Sequence, residues 1–146
     1  QKNPVYYVQY AHARIASILA KIKNPMPTGR QEKSKIKITP NSRAKLATGQ
    51  AIQNLKLLKT DAELNLIRKL IEFPEILADI SKNHEVHRLP RYALELAREF
   101  HNFYEKERVI TEDKKLTSAR LALVMATKIV LANTLKLMGI DAPGKM

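Results

Sequence analysis

From Val8 to Ile22 the apolar residues recur at steps of three and four. At about 100° per residue, Val8, Ala11, Ile15, Ile18, Leu19 and Ile22 close into one stripe. Such a stripe fits an α-helix with one buried face and excludes a strand, whose faces alternate every second residue. The same period returns later, where Ala93, Leu96, Ala97, Phe100 and Tyr104 share a face. No segment sustains period-two alternation, so the chain is predicted to be all-α, a helical bundle in a single domain spanning residues 1–146. Apolar residues make up 45% of the chain, enough to build one core.

Local signals place the helices. Asn3-Pro4 opens the first, since Asn caps free N–H groups and Pro presets φ at the first helical position. Two prolines and a glycine between Asn24 and Gly29 end it near Ile22. Thr39-Pro40 is read as opening a helix through Leu58, weakened by Gly49. Thr60-Asp61-Ala62-Glu63 has capping-box spacing and starts a helix to about Glu72; Phe73-Pro74-Glu75 restarts a shorter one to about Lys82. A further helix runs from Arg88 or Pro90 to about Arg108. The last spans Lys114 to Met138 and closes at Gly139.

Charge narrows the function. The net charge is +12, and between Lys21 and Thr60 ten basic residues face Glu32 alone, so that segment holds nine of the twelve. Residues 23–39 are read as a basic, mobile insertion. A polyanionic partner is implied, with nucleic acid ahead of an anionic membrane surface. The most apolar run, Leu121 to Asn133, is broken by Lys128 and is shorter than the roughly 20 residues of a membrane span. Cysteine is absent, which excludes disulfides and thiolate metal sites and fits the cytoplasm. The start at Gln1-Lys2-Asn3-Pro4 has no initiator Met and no signal-peptide layout, so the chain is read as a fragment. His84, Glu85 and His87 stand too close for a two-turn H-E-x-x-H zinc arrangement, and four glycines form no phosphate loop. No catalytic residue, metal or cofactor is expected within it.

Tyr7, Tyr10, Arg14, Ser17 and Lys21 form a second stripe on the first helix, roughly 110° from the apolar one. Aromatic rings beside cations can stack unpaired bases and hold the backbone of single-stranded RNA. The same tyrosines could instead cover the core edge with hydroxyls in water, and spacing alone leaves both readings open. Phe100, Phe103, Tyr104, Lys106 and Arg108 crowd another helix end. Arg120, Lys128 and Lys136, eight residues apart, read as a solvated face.

The run Tyr7-Val8-Gln9-Tyr10-Ala11-His12-Ala13-Arg14 resembles the opening helix of the C-terminal, DALR-type anticodon-binding domain of arginyl-tRNA synthetases. The resemblance continues through Leu70–Glu75, His87–Tyr92, Phe100–Tyr104 and Arg120–Met146, in the family's order; the basic Lys23–Thr60 segment departs from it. It implies a helical bundle that docks the anticodon loop of tRNA. A separate catalytic domain of the same chain would join arginine to tRNA using ATP, and that domain's H-I-G-H signature is absent here. By motif position it implies RNA contacts from Tyr7, Tyr10, Arg14, Tyr104, Arg108 and the terminal Met146. For Met146 to join the others, the segment from Ala142 must fold back toward the first helix. The alternative, a generic basic helical RNA-binding or protein-interaction module, predicts one amphipathic basic helix without an aromatic stripe.

Overall fold

The computed structural model describes residues 3–23 and 54–146. Among them are four α-helices, α1 (Pro4–Lys23), α2 (Asp61–Asn83), α3 (Arg88–Lys106) and α4 (Lys114–Leu137), with a 3-10 turn at Leu55–Leu57 before α2. No strand occurs among the described residues, in keeping with the all-α expectation. Past Lys23, the basic insertion lies outside the described residues. Of the helix expected through Leu58, the described end is the 3-10 turn, after which Leu58 is extended.

Three of the four helix starts carry side-chain caps. Asn3 Oδ1 accepts from Val5 N at 3.0 Å. Thr60 and Glu63 form the expected capping box, with Glu63 Oε2 accepting from the N–H groups of Lys59 at 2.8 Å and Thr60 at 3.0 Å. Asp113 caps α4 by accepting from Lys115 N. At its other end Gly139 sits at φ +71°, Gly139 N donates to Lys136 O and Ile140 N to Leu135 O. This is the paired pattern that closes a helix on a left-handed residue.

Two expectations are corrected. Pro74 does not restart a helix: α2 runs unbroken from Asp61 to Asn83 with Pro74 inside it. An interior proline removes one backbone bond and crowds the carbonyl four residues back, costing about 3 kcal/mol. Packing holds the helix together across that site. Ile67, Leu70, Phe73 and Ile76 all lie against the core, Phe73 stacks on Tyr92 at 5.6 Å, and the Tyr92 hydroxyl donates to Lys69 O at 2.7 Å.

Arg120 is not on a solvated face. It is 6% exposed, and its guanidinium donates to Glu63 Oε1 at 2.7 Å, to Glu107 and to Arg108 O at 2.7 Å. Eightfold spacing could not reveal this, because the partners lie 57, 13 and 12 residues away in sequence. Lys128 is half-buried and Lys136 exposed.

α4 packs against each of the other three helices. It is long and apolar enough to cross a membrane by composition, yet Ala119, Leu121, Leu123, Val124, Leu131 and Leu135 are all buried in the bundle. Thr127 and Thr134, also buried, donate to the carbonyls of Leu123 and Val130 and so bring no unpaired hydroxyl inside. Val8, Ala11 and Ile15 of α1 enter the same core as Leu96, Phe100 and Phe103 of α3. That packing places the tyrosine flank of α1 against the outer edge of α3.

Candidate nucleic-acid interface

Where α1 meets α3, Tyr7, Tyr10, Arg14 and Tyr104 converge. Arg14 lies over the Tyr104 ring, 4.6 Å from its centroid, and 5.9 Å from that of Tyr10, whose hydroxyl accepts from an Arg14 nitrogen at 3.3 Å. The guanidinium is thus held between two aromatic faces while its remaining donors stay available.

Two hollows open on either side of Arg14. The first, about 570 Å³, is lined by Asn3, Tyr6, Tyr7, Tyr10, Arg14, His101 and Glu105. The second, about 620 Å³, is bordered by Arg14, Ser17, Lys21, Tyr104, Glu107 and Arg108 among others. Arg108 follows the C-terminal end of α3, and its backbone is fixed by the bond from Arg120 to its carbonyl. Five of the six residues singled out from the sequence therefore border one continuous surface.

The tyrosines are not equivalent. Tyr7 is half-buried against the core, and Tyr10 is 41% exposed. Burial pushes the Tyr7 hydroxyl above its ordinary pKa despite the pull of Arg98, so it remains a neutral donor. Tyr7 covers the core edge, whereas Tyr10 stands out into solvent.

His101 joins the site without having been singled out. Its ring lies 5.1 Å from Tyr7 and stacks on Tyr10 at 6.0 Å. Burial first, then Arg14, holds its imidazole below the ordinary value, so it is neutral at pH 7. Glu105 was missed as well. Positions 101, 104, 105 and 108 follow helical spacing around Tyr104, and that was the available signal.

The chain end does return to α1. Gln9 Nε2 donates to Asp141 O at 2.9 Å, and His12 Nδ1 donates to Pro143 O at 2.8 Å. Gln9 and His12, however, stand roughly 160° around α1 from the tyrosine stripe. Met146 is 53% exposed and lines neither hollow.

No group of three or more potential metal ligands occurs among the described residues. Residues 8–146 match the sequence profile of the DALR anticodon binding domain. The chain is 46% identical over 145 residues to an arginine–tRNA ligase of Dehalococcoides mccartyi, covering 99% of this chain and 22% of that protein. An arginine–tRNA ligase of Symbiobacterium thermophilum is 43% identical over 145 residues, with 99% and 23% covered. The chain thus spans about a fifth of the length of these relatives. The solved arginyl-tRNA synthetase of Thermus thermophilus superposes with a TM-score of 0.61 at 30% identity, covering 96% of this chain and 21% of that one.

Proposed function

Because the chain belongs to the DALR anticodon-binding domain family, we propose that it grips the anticodon loop of arginine tRNA. In this reading it is the C-terminal domain of a cytoplasmic arginine–tRNA ligase, whose catalytic domain attaches arginine to tRNA with ATP. The observation that carries the proposal is Arg14, held between Tyr10 and Tyr104 with an open hollow on each side.

A splayed anticodon base would stack on Tyr10, contributing about 1–3 kcal/mol, while Tyr104, packed between Arg14 and Phe100, would hold Arg14 in place. Arg14 would donate to base edges, and Lys21 and Arg108 at the rim of the second hollow would meet phosphates. Arginylation would rest on the catalytic domain.

The test separates the two ends of tRNA. The 146-residue chain is titrated with an anticodon stem-loop and, separately, with an acceptor-stem minihelix at equal ionic strength. Preference for the stem-loop is the expected result, and equal binding of both would reduce the chain to a generic polyanion binder. The purified chain should also form no arginyl-tRNA.

A further inference from the structure

We propose that Glu105 is a specificity-determining residue that accepts a hydrogen bond from the exocyclic amino group of an anticodon cytosine and repels uracil at the same place. This inference rests on the proposed function and deepens it.

A carboxylate is out of place here on two counts. It repels the phosphates that a chain of net charge +12 attracts. It also lies in the last turn of α3, where the helix dipole disfavours negative charge. Each hollow has one carboxylate, and their circumstances differ. Glu107, in the second, is engaged by the buried Arg120 and held for the fold. Glu105, in the first, is exposed and makes no ion pair among the described residues. Neither the helix nor the phosphate backbone gains from it, whereas a ligand amino group would.

The rest of the first hollow completes the pattern. Tyr7, Tyr10 and His101 supply ring faces, and His101 is neutral, so Arg14 is the one cationic side chain in the lining. The lining thus presents an acceptor at Glu105 and donors at Arg14. Cytosine offers the complement, an N4 amino donor beside the N3 and O2 acceptors. Uracil would turn its O4 acceptor toward the carboxylate. Glutamate accepting from cytosine N4 is a recognised mode of base readout. Every arginine codon has G in the middle, so every arginine anticodon has C there, and this discrimination is the one the proposed function needs.

The test uses anticodon stem-loops identical except for C or U at the middle position, titrated against the wild-type chain and Glu105→Gln. Because Glu105 is exposed, the variant should keep the wild-type melting temperature, which is measured alongside. Wild type should favour the C RNA by about tenfold or more. Glu105→Gln should shrink that ratio to about threefold or less, chiefly by binding the U RNA more tightly, since an amide can donate to O4. A lost structural contact would weaken both RNAs instead of strengthening one. If wild type prefers C and the variant keeps the full ratio, the assignment of Glu105 is wrong while the proposed function stands. If wild type itself does not distinguish C from U, the proposed function and this inference fall together.

Discussion

Replacing Arg120 by methionine should unfold this bundle at a markedly lower temperature, although Arg120 borders neither hollow. The Arg120 side chain is 7% exposed, and its guanidinium bonds the carboxylates of Glu63 and Glu107, whose side chains are 1% and 17% exposed. Solvent therefore screens the Glu63 pair very little. Removing one partner of a buried pair leaves an uncompensated charge, a loss of about 3–5 kcal/mol. For a domain of this size each kcal/mol lowers the melting temperature by about 2–4 °C, so the drop should be roughly 10 °C. The pH response supplies an independent check. Burial pushes the Glu63 carboxyl up, but the N–H groups of Thr60 and Lys59 and the Arg120 guanidinium outweigh it and hold the group below its ordinary 4.5. A depressed folded value means that its stabilisation is complete above pH 4.5 and is lost as pH falls through the folded value. Without Arg120 the upward push of burial is less opposed, so the folded value moves back up and the part of the acid loss that Glu63 carries should shrink or reverse. Glu63→Gln combined with Arg120→Met should recover part of the melting temperature, because no buried charge is stranded at Glu63. Thermal unfolding followed by circular dichroism from pH 3 to 7 reads all of this. A single variant that loses less than about 1 kcal/mol and keeps the wild-type acid limb would refute the reasoning.

Tyr10→Ala should weaken binding of the anticodon stem-loop by about 1–3 kcal/mol with little change in melting temperature. Tyr7→Ala should lower both, because Tyr7 also packs on the core; an affinity untouched by either change removes the tyrosine stripe from the interface. Burial, ahead of all other causes, lowers the pKa of both His12 and His101 from 6.5. Stability should therefore be full above pH 6.5 and decline as pH falls below it, with a shallower decline in His12→Gln; identical pH profiles would show that His12 carries none of the effect. Deleting Gly144 to Met146 spares the bonds to Asp141 and Pro143, so stability should hold; Met146 lines neither hollow, so weaker binding of the cytosine-bearing RNA would show that the tail moves onto the site when RNA binds. Unchanged affinity would exclude Met146 from the interface.

Local signals in the sequence carried most of the architecture. The stripe of Val8, Ala11 and Ile15, the Thr60–Glu63 box and the Gly139 stop each depend on residues within a turn or two, and each is found in the structure. What could not be read depends on distant partners. Phe73 stacking on Tyr92 keeps α2 continuous through Pro74, where local rules predict a break. Arg120 looked like one of three evenly spaced cations until Glu63, 57 residues away, was placed beside it. At the site, the Tyr7, Tyr10 and Arg14 stripe was visible from α1 alone. His101 and Glu105 acquire meaning only once α3 is laid against that stripe.

The central claim, that an anticodon loop sits on the α1–α3 surface, is met most directly by NMR of the chain with isotope-labelled tyrosine. The five tyrosines, residues 6, 7, 10, 92 and 104, report on both sides of the question, because Tyr92 is 2% exposed and bonded to the α2 backbone. On addition of the anticodon stem-loop, the ring signals of Tyr7, Tyr10 and Tyr104 should shift while that of Tyr92 stays in place. Signals of Tyr10 and Tyr104 that remain still while the RNA binds would contradict the account.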